Sequence, residues 1–282
     1  MFNLLKFVVC QSLAIIAILN CKIAINILNM QGKVVIVTGA SSGIGNAAAS
    51  IFAKNGATVV AVGRNEKELG ALSKSVGSKK GVIKPHLADV TELTQLDRIV
   101  NDTVANHGKI DVLVNSAGII KNGTIENTTL DDWDKMLNVN VRSLFYLIQK
   151  CVPHLEETKG NIVNVSSVAG TRAFPNVLSY CVSKAAVDQL TRCAALELAA
   201  KRIRVNAVNP GVVVTNLHKR SGMEEEAYSA FLEHSKDTHP IGRVGTPEEI
   251  GELIFYLASD KAGWITGATY AIDGGRAQTC AR

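Results

Sequence analysis

Tyr180 and Lys184 are the two side chains of this 282-residue chain whose types and spacing most directly suggest chemistry. They fall in a segment, 178–200, with a helical pattern, and a separation of four residues places them on one face of the helix. A lysine ammonium beside a phenol favours the phenolate and lowers the phenol pKa from its usual value of about 10. The pair could therefore exchange protons as a general acid and base, or it could be a chance pairing on a helix surface.

A glycine-rich segment near residue 40 offers a phosphate-binding loop. An apolar run, 34–38, reads as a buried strand, and Gly39, Gly43 and Gly45 follow it just where a helix is predicted over 46–53. A pyrophosphate can approach the backbone N–H groups of a helix N-terminus only where no Cβ intervenes, which glycine permits. The order of strand, glycine loop and helix predicts a dinucleotide site rather than an ordinary tight turn.

The end of the second predicted strand, 57–62, indicates which dinucleotide fits. Gly63 and Arg64 stand where an acidic residue would accept hydrogen bonds from the adenosine ribose, so no carboxylate repels a 2′-phosphate there. The Arg64 guanidinium could bind such a phosphate in a bidentate manner, or it could lie in solvent and pair with Glu66. This arrangement favours NADP(H) over NAD(H).

Strand and helix patterns alternate along the chain and predict an α/β fold, a single Rossmann-type doubly wound parallel sheet of about seven strands flanked by helices. Further strands are expected at 82–87, 110–114, 161–165 and 269–272, and further helices at 92–106, 130–151, 178–200 and 250–258. Asp89 follows the third strand at the ligand-binding edge, where it could accept a hydrogen bond from an adenine amine or cap the next helix. Asn140 interrupts an apolar helix stripe, and a buried amide in that position needs a reason.

Composition narrows the functional classes. A hydrophobic content of 47% with 20% charged residues is ordinary for a globular protein, and the length suits one large α/β domain. The net charge of +5 comes from scattered lysines and arginines, which argues against a nucleic-acid partner. The six cysteines and six histidines show no metal-binding spacing, so we predict no metal site and reduced thiols in a reducing compartment.

The first 29 residues form an apolar leader ahead of the domain, which we expect to span 30–282. The apolar run 7–19 is shorter than the roughly 20 residues that cross a bilayer. Met30 directly precedes the domain, so the leader could be a dispensable extension from an upstream start codon, a membrane anchor or a cleaved signal. We expect a cytoplasmic protein, or a membrane-associated one (endoplasmic reticulum) if the leader is an anchor.

Together these residues resemble the classical short-chain dehydrogenase/reductase family over nearly all of 33–275. Ser167 precedes Tyr180 by thirteen residues, which is the family's usual interval. Ser116 is a mild departure, because the family more often has Asn or Ala there. The motifs that carry the resemblance are Thr38-Gly39-x3-Gly43-x-Gly45, Asn115-Ser116-Ala117-Gly118, Asn140, Ser167, Tyr180-x3-Lys184, and Asn209-Pro210-Gly211 running on to Thr215.

The resemblance implies a role for each matching residue. Tyr180 would exchange the proton with a carbonyl or alcohol, and Ser167 would hold the substrate oxygen near it. Lys184 would lower the phenol pKa and bind the nicotinamide ribose, while Asn140 would hold a water that links the lysine to solvent. The implied cofactor contacts are Gly39, Ser41, Ser42, Gly43, Ile44, Gly45, Arg64, Asn65, Asp89, Val90, Asn115, Ala117, Gly118, Tyr180, Lys184, Pro210, Gly211, Val213 and Thr215.

The resemblance also implies a small-molecule substrate, a mobile substrate lid at about 216–240 and a homotetramer joined through the last strand. The C-terminal half is similar to that of 3-oxoacyl-[acyl-carrier-protein] reductases, which predicts an oxoacyl thioester substrate. The basic candidates to meet an acidic carrier are Arg142, Arg172, Lys219 and Arg220. A ketosteroid, retinoid or other lipophilic carbonyl is the alternative, with Phe174, Val177 and Leu217 lining an apolar pocket. A non-catalytic nucleotide-binding scaffold is the alternative from another class.

Overall fold

The centre of the molecule is a parallel sheet of seven strands in the order β3-β2-β1-β4-β5-β6-β7. The computed structural model describes residues 30–76 and 81–279, so the leader at 1–29 lies outside the described residues. The chain runs from the centre to one edge through β3 and then crosses back to β4, so the strand order reverses between β1 and β4. This topology confirms the predicted α/β fold with about seven strands, and it places a crevice at the carboxyl ends of β1 and β4.

Strands and helices alternate through the whole sheet. The strands are β1 (Val34–Thr38), β2 (Thr58–Gly63), β3 (Val82–Leu87), β4 (Val112–Asn115), β5 (Asn161–Val165), β6 (Arg204–Pro210) and β7 (Thr269–Ile272). The helices are α1 (Gly43–Lys54), α2 (Glu66–Ser75), α3 (Leu93–His107), α4 (Leu130–Leu137), α5 (Ser143–Thr158), α6 (Leu178–Leu198), α7 (Leu217–Arg220), α8 (Glu225–Thr238) and α9 (Pro247–Ala258). Within the described ranges, no helix is long and apolar enough to cross a membrane.

Successive residues of the central strands serve opposite faces of the sheet. Val35 and Val37 pack in one core cluster, whereas Ile36 between them packs in the other. The first cluster lies under α1 and α9, where the rings of Phe52 and Phe255 meet edge to face with centroids 5.3 Å apart. Helices α3, α5 and α6 cover the second cluster. The residues of the fully buried strand β1 are therefore almost all apolar, which explains why the sequence pattern identifies that strand.

The predicted helix at 130–151 is wrong in one respect, because the structure divides it. Between α4 and α5 the backbone forms a π-helical segment, Asn138–Arg142, with Asn140 buried in its middle. A π-helical turn inserted in an α-helix changes the direction of the side chains on it, and such turns occur frequently at functional sites. The amide of Asn140 thus faces the loop after β4 and the helix α6, where its Nδ2 donates to the Ile119 carbonyl and to Ser183 Oγ, each at 3.0 Å.

A local motif fixes the start of α9. Thr246 is the N-cap, Pro247 occupies the first turn, and the Thr246 hydroxyl accepts a hydrogen bond from the Glu249 N–H at 3.3 Å. The Glu249 carboxylate in turn accepts from the Thr246 N–H at 2.9 Å, which completes a capping box. Because the two residues of the capping box are three positions apart, the sequence alone can indicate where this helix begins.

Candidate active site and cofactor groove

The predicted site residues meet in two adjoining cavities at the carboxyl edge of the sheet. The larger, of about 1660 Å³, is a groove along the ends of β1, β2, β3 and β4, and the smaller, of about 180 Å³, lies over the ends of β5 and β6. Gly39, Ala117 and Gly118 line both. The larger cavity also contains Ser41, Arg64, Asn65, Asp89 and Val90. The smaller cavity also contains Ser42, Gly43, Ile44, Ser167, Tyr180, Lys184, Pro210, Gly211, Val213 and Thr215.

Three predicted residues lie behind these cavity walls. Gly45 packs within the loop, since a Cβ there would lie 2.5 Å from the Gly39 carbonyl oxygen. Asn115 donates a hydrogen bond from Nδ2 to Asn164 Oδ1 at 2.9 Å and links β4 to β5. Asn140 is buried and lines neither cavity. These residues therefore shape the site from outside its walls.

The glycine loop is built for close backbone approach. Gly39 has a φ of +70°, and a Cβ at this position would lie 2.9 Å from the backbone of Ala117. Ser42 is the N-cap residue of α1, but its side chain makes no capping hydrogen bond. The first N–H groups of α1 thus have no side-chain acceptor from their own cap, which suits them to receive the pyrophosphate of a dinucleotide.

Arg64 pairs with Asp89 and not with Glu66. Its Nη1 lies 3.3 Å from Asp89 Oδ2, and 70% of the arginine side chain is exposed. Burial raises the pKa of the Asp89 carboxyl, but hydrogen bonds from Thr91 and the Arg64 charge outweigh that effect and hold the pKa below its usual value. Asp89 does not cap α3, whose N-cap residue is Glu92. The alternative of a helix cap is therefore wrong, and the carboxylate faces the groove.

Tyr180, Ser167 and Lys184 form a buried cluster between β5 and α6. The Ser167 side chain lies close enough to the Tyr180 phenol to affect its pKa, and its hydroxyl accepts a hydrogen bond from the Ala169 N–H at 3.1 Å. Lys184 donates a hydrogen bond from Nζ to the carbonyl oxygen of Val165 at 2.8 Å, and Nζ lies 5.6 Å from the centroid of the Tyr180 ring. The end of β5 thus fixes the lysine and the serine relative to the tyrosine.

Burial controls the protonation of this cluster. It raises the pKa of the Tyr180 phenol to about 12, while the Ser167 side chain acts to lower it. It lowers the pKa of Lys184 to about 8, while the charge of Asp188, one turn further along α6, acts to raise it. The structure therefore does not give the lowered phenol pKa expected from the neighbouring lysine, because desolvation outweighs it.

Asn140 and Lys184 face the same space beside Gly118. A Cβ on Gly118 would lie 3.4 Å from Asn140 Oδ1 and 3.6 Å from Lys184 Nζ. The amide is held by Ile119, whose N–H donates to Oδ1 at 2.9 Å and whose carbonyl accepts from Nδ2 at 3.0 Å. The absence of a side chain at Gly118 keeps open the space between the amide and the ammonium group.

Several residues support the site through contacts that the sequence did not predict, although Asn209 belongs to one of the motifs named above. Asn209 donates from Nδ2 to the Ser167 carbonyl at 2.9 Å and to Asp188 Oδ2 at 2.8 Å, which ties β6 to the end of β5 and to α6. His239 accepts a hydrogen bond from the Val212 N–H at 3.1 Å through Nε2. Asp188 could have been found from its spacing of four from Lys184. His239 gave no such signal, because its partner is 27 residues away.

The predicted lid consists of α7, α8 and the connections around them. The Tyr228 hydroxyl of α8 donates to the Thr215 carbonyl at 2.8 Å and accepts from the Thr215 N–H at 3.1 Å. This double contact joins the lid to the segment that follows β6. His218 of α7 lines the smaller cavity, and its ring lies 4.7 Å from that of Phe231.

Comparison with known proteins agrees with this geometry. A family model described as enoyl-(acyl carrier protein) reductase matches residues 39–277. The 3-oxoacyl-[acyl-carrier-protein] reductase FabG of Thermotoga maritima is 39% identical over 249 residues, which cover 88% of this chain and 99% of that protein. Dehydrogenase/reductase SDR family member 6 of Xenopus laevis is 39% identical over 252 residues, which cover 87% of this chain and 98% of that protein.

Solved structures give the same assignment. A crystal structure of a short-chain dehydrogenase/reductase of unknown function from Caenorhabditis elegans, determined with cofactor, matches with a TM-score of 0.84 and 39% identity. The match covers 89% of this chain and 97% of that one. The resemblance seen in the motifs therefore extends over the whole sheet and both cavities. The chain belongs to the short-chain dehydrogenase/reductase family of oxidoreductases, whose members bind a nicotinamide cofactor.

Proposed function

We propose that the chain is an NADP(H)-dependent oxidoreductase that interconverts a carbonyl group and a secondary alcohol. The observation that supports this most directly is the single cavity in which Ser167, Tyr180 and Lys184 lie beside the glycine loop. A nicotinamide bound there supplies or takes up the hydride, which is redox chemistry that the side chains lack. The protein contributes position and proton transfer.

The side chains complete the reaction around that hydride. In reduction, the Tyr180 hydroxyl donates its proton to the carbonyl oxygen while the carbonyl carbon gains a hydrogen and two electrons. The Ser167 hydroxyl donates a hydrogen bond to the same oxygen and keeps it beside Tyr180. The Lys184 ammonium stabilises the phenolate that remains, and in oxidation this phenolate accepts the proton of the alcohol.

A proton relay can restore Tyr180 after each turnover. Asn140 Oδ1 and Lys184 Nζ face the open space beside Gly118, where a water molecule could bridge them. The relay would carry a proton between solvent and Lys184, and from there to the phenol. This role gives a reason for the buried amide in the π-helical segment.

The preference for NADP(H) rests on the end of β2. Gly63 offers no carboxylate to repel a 2′-phosphate, and Arg64 lies on the groove with most of its side chain exposed. Its partner Asp89 competes for the guanidinium, so a phosphate has to replace that exposed ion pair. Exposed pairs contribute about 1 kcal/mol or less, whereas an arginine–phosphate fork is stronger.

For the substrate we propose a 3-oxoacyl thioester, which is the substrate class named for the relative from Thermotoga maritima. A ketosteroid, retinoid or other lipophilic carbonyl is the second candidate. Phe174, Val177 and Leu217 favour it, because they pack around the buried ring of Tyr180 and offer an apolar wall. Mediterraneibacter gnavus has a 38% identical relative named 3beta-hydroxysteroid dehydrogenase.

We further propose that the domain at 30–282 forms a homotetramer. β7 is an edge strand of the sheet, and Phe145 and Leu196 expose 48% and 81% of their surfaces on the paired helices α5 and α6. Light scattering on the purified protein measures the subunit number.

We propose a cytoplasmic location, with membrane association as the alternative if the leader at 1–29 is an anchor. Fractionation of the full chain against a chain starting at Met30 decides between them.

The test of the proposed function is turnover by the purified full chain with NADPH or NADH. The panel holds an acetoacetyl thioester, a 3-ketosteroid, retinal and butane-2,3-dione. The proposed function is supported if the protein reduces any of these compounds and a Tyr180→Phe variant does not. A protein that binds the nucleotide but reduces none of them would instead fit the non-catalytic scaffold.

A further inference from the structure

Arg276 is half-buried, and one nitrogen of its guanidinium group lacks a hydrogen-bond acceptor. The residue follows β7 in a short 3-10 turn, Arg276–Gln278, and its Nη1 is buried without a hydrogen-bond acceptor anywhere in the described chain. Burial of the guanidinium lowers its pKa, since the charged form is poorly solvated there. A buried donor without an acceptor costs free energy, and a charged one costs more than a neutral one. An arginine in this state calls for an explanation.

The nearest carboxylate does not supply the missing acceptor. Asp273 Oδ1 accepts a hydrogen bond from the Gly275 N–H at 3.0 Å, and Oδ2 accepts from the Ala277 N–H at 2.6 Å. Both oxygens therefore hold the turn that carries Arg276, and no ion pair within 4.0 Å joins the two side chains in the described part of the chain. The negative charge of Asp273 acts to raise the pKa of Arg276, but this effect is smaller than the lowering caused by burial.

The histidines near Arg276 do not neutralise it either. Burial lowers the pKa of His218 and of His239, and the Arg276 charge lowers both further, so both rings are neutral near pH 7. A neutral ring can donate a hydrogen bond to an anion but brings no negative charge of its own. Neither histidine therefore provides a negative charge to balance the positive charge of Arg276.

The unpaired guanidinium lies next to the substrate side of the site. Its Cζ is 4.9 Å from the centroid of the Phe174 ring, and Phe174 packs on the cluster that contains Tyr180. His218, which is close enough for its pKa to respond to Arg276, lines the cavity of Tyr180 and Ser167. One aromatic ring therefore separates Arg276 from the reacting group. Phe174 itself is half-buried, whereas the other residues from Thr171 to Asn176 are exposed.

Other cations near the entrance already have partners. Arg172 donates to the Thr279 carbonyl, Lys219 pairs with Glu225 at 2.7 Å, and Arg142 donates to Asn138 at 3.4 Å. Arg220 lines both cavities and is exposed, so its charge is already solvated. A desolvated arginine gains far more from an anion than a solvated one does.

We propose that Arg276 binds a carboxylate of the substrate, so that the enzyme acts on oxo acids and the corresponding hydroxy acids. This inference rests on the proposed function and narrows the candidate substrates of the same site to carbonyl compounds that carry a free carboxylate. The planar guanidinium would hold the carboxylate through two parallel hydrogen bonds. Phe174 would fix the plane of the guanidinium, and the substrate carbonyl would extend toward Ser167 and Tyr180.

The test compares free acids with their methyl esters on the full chain with NADPH. The pairs are 2-, 3- and 4-oxopentanoate and the three esters, which differ in charge but hardly in shape. We expect at least one acid to exceed its ester in kcat/KM by about tenfold or more, because a hydrogen-bonded charge is replaced by a neutral group. Arg276→Met should abolish that ratio while leaving the ester rates, and Arg276→Lys should keep part of it.

Control measurements separate the possible failures. Arg220→Met removes the other arginine that could bind the carboxylate. The proposal would be overturned if Arg220→Met loses the acid preference and Arg276→Met keeps it. If Arg276→Met does not fold, the wild-type ratio and a rise in melting temperature with the preferred acid, but not with its ester, decide the question. Turnover of butane-2,3-dione with no acid preference would refute this inference alone. Failure to turn over any compound would refute the proposed function, and the inference with it.

Discussion

Lys184 Nζ lies 5.6 Å from the centroid of the Tyr180 ring, and its hydrogen bond goes to the backbone of β5. At this distance the lysine can act on the phenol only through its electric field and not through direct contact. Because both side chains are buried, that field is weakly screened. The end of β5 fixes the distance, so the electrostatic support for the phenolate depends on the sheet and not only on the helix that carries both residues.

Replacement of Tyr180 by phenylalanine should remove proton transfer and little else. The ring stays in its apolar cluster, so folding and nucleotide binding should be retained. We expect kcat to fall by about 10²- to 10⁴-fold, the usual contribution of a positioned general acid. Steady-state kinetics and nucleotide titration measure the two effects separately. An unchanged kcat would contradict the assignment.

The rate of carbonyl reduction should fall as the pH rises above about 8. Burial lowers the Lys184 pKa to about 8, so the ammonium loses its proton in that range while the Tyr180 phenol remains protonated. Without the positive charge, the phenolate left by proton donation is no longer stabilised. A pH profile of kcat/KM between pH 6 and pH 10 tests this. In Lys184→Met the fall in kcat/KM at high pH should disappear along with most of the activity. If the fall persists in this variant, a group other than Lys184 causes it.

Substitution of Arg64 should affect NADPH and not NADH. Arg64→Ala removes the only guanidinium expected to meet a 2′-phosphate, so the NADPH Kd should rise by about tenfold or more. Asp89→Asn should have the opposite effect, because it releases Arg64 from its ion pair. Lys67→Ala serves as a control, since it removes a nearby exposed positive charge. Equal losses for both nucleotides would show that Arg64 does not select the phosphate.

Two glycine substitutions should change stability in opposite directions. In Gly45→Ala the new Cβ would lie 2.5 Å from the Gly39 carbonyl oxygen, so we expect destabilisation and weaker nucleotide binding. Gly70 lies inside α2 with no atom within 4 Å of an added Cβ, so Gly70→Ala should stabilise the protein by about 0.4–1 kcal/mol. Chemical denaturation gives both values. Similar effects at the two positions would refute the claim that the loop requires close packing.

Local patterns in the sequence determined much of this molecule. The strands at 82–87, 161–165 and 269–272 were predicted at their observed bounds, although only 161–165 is buried at every position. Their local sequence patterns and flanking residues were enough to mark them. The glycine loop and the pair of Tyr180 and Lys184 follow from spacing alone, since helix and turn geometry fixes them. The capping box of α9 is equally local.

Tertiary structure decided what depends on distant partners. Arg64 pairs with Asp89 across 25 residues, the amide of Asn140 is held by Ile119 through a π-helical turn, and Arg276 meets Phe174 across about 100 positions. No periodicity in the chain reports such contacts, because they arise only when strands from different parts of the sequence end at one edge of the sheet. The sequence alone therefore determined the fold and the family, and it named the candidate site residues. The protonation of those groups and the unpaired charge beside them come from burial, which only the packed structure produces.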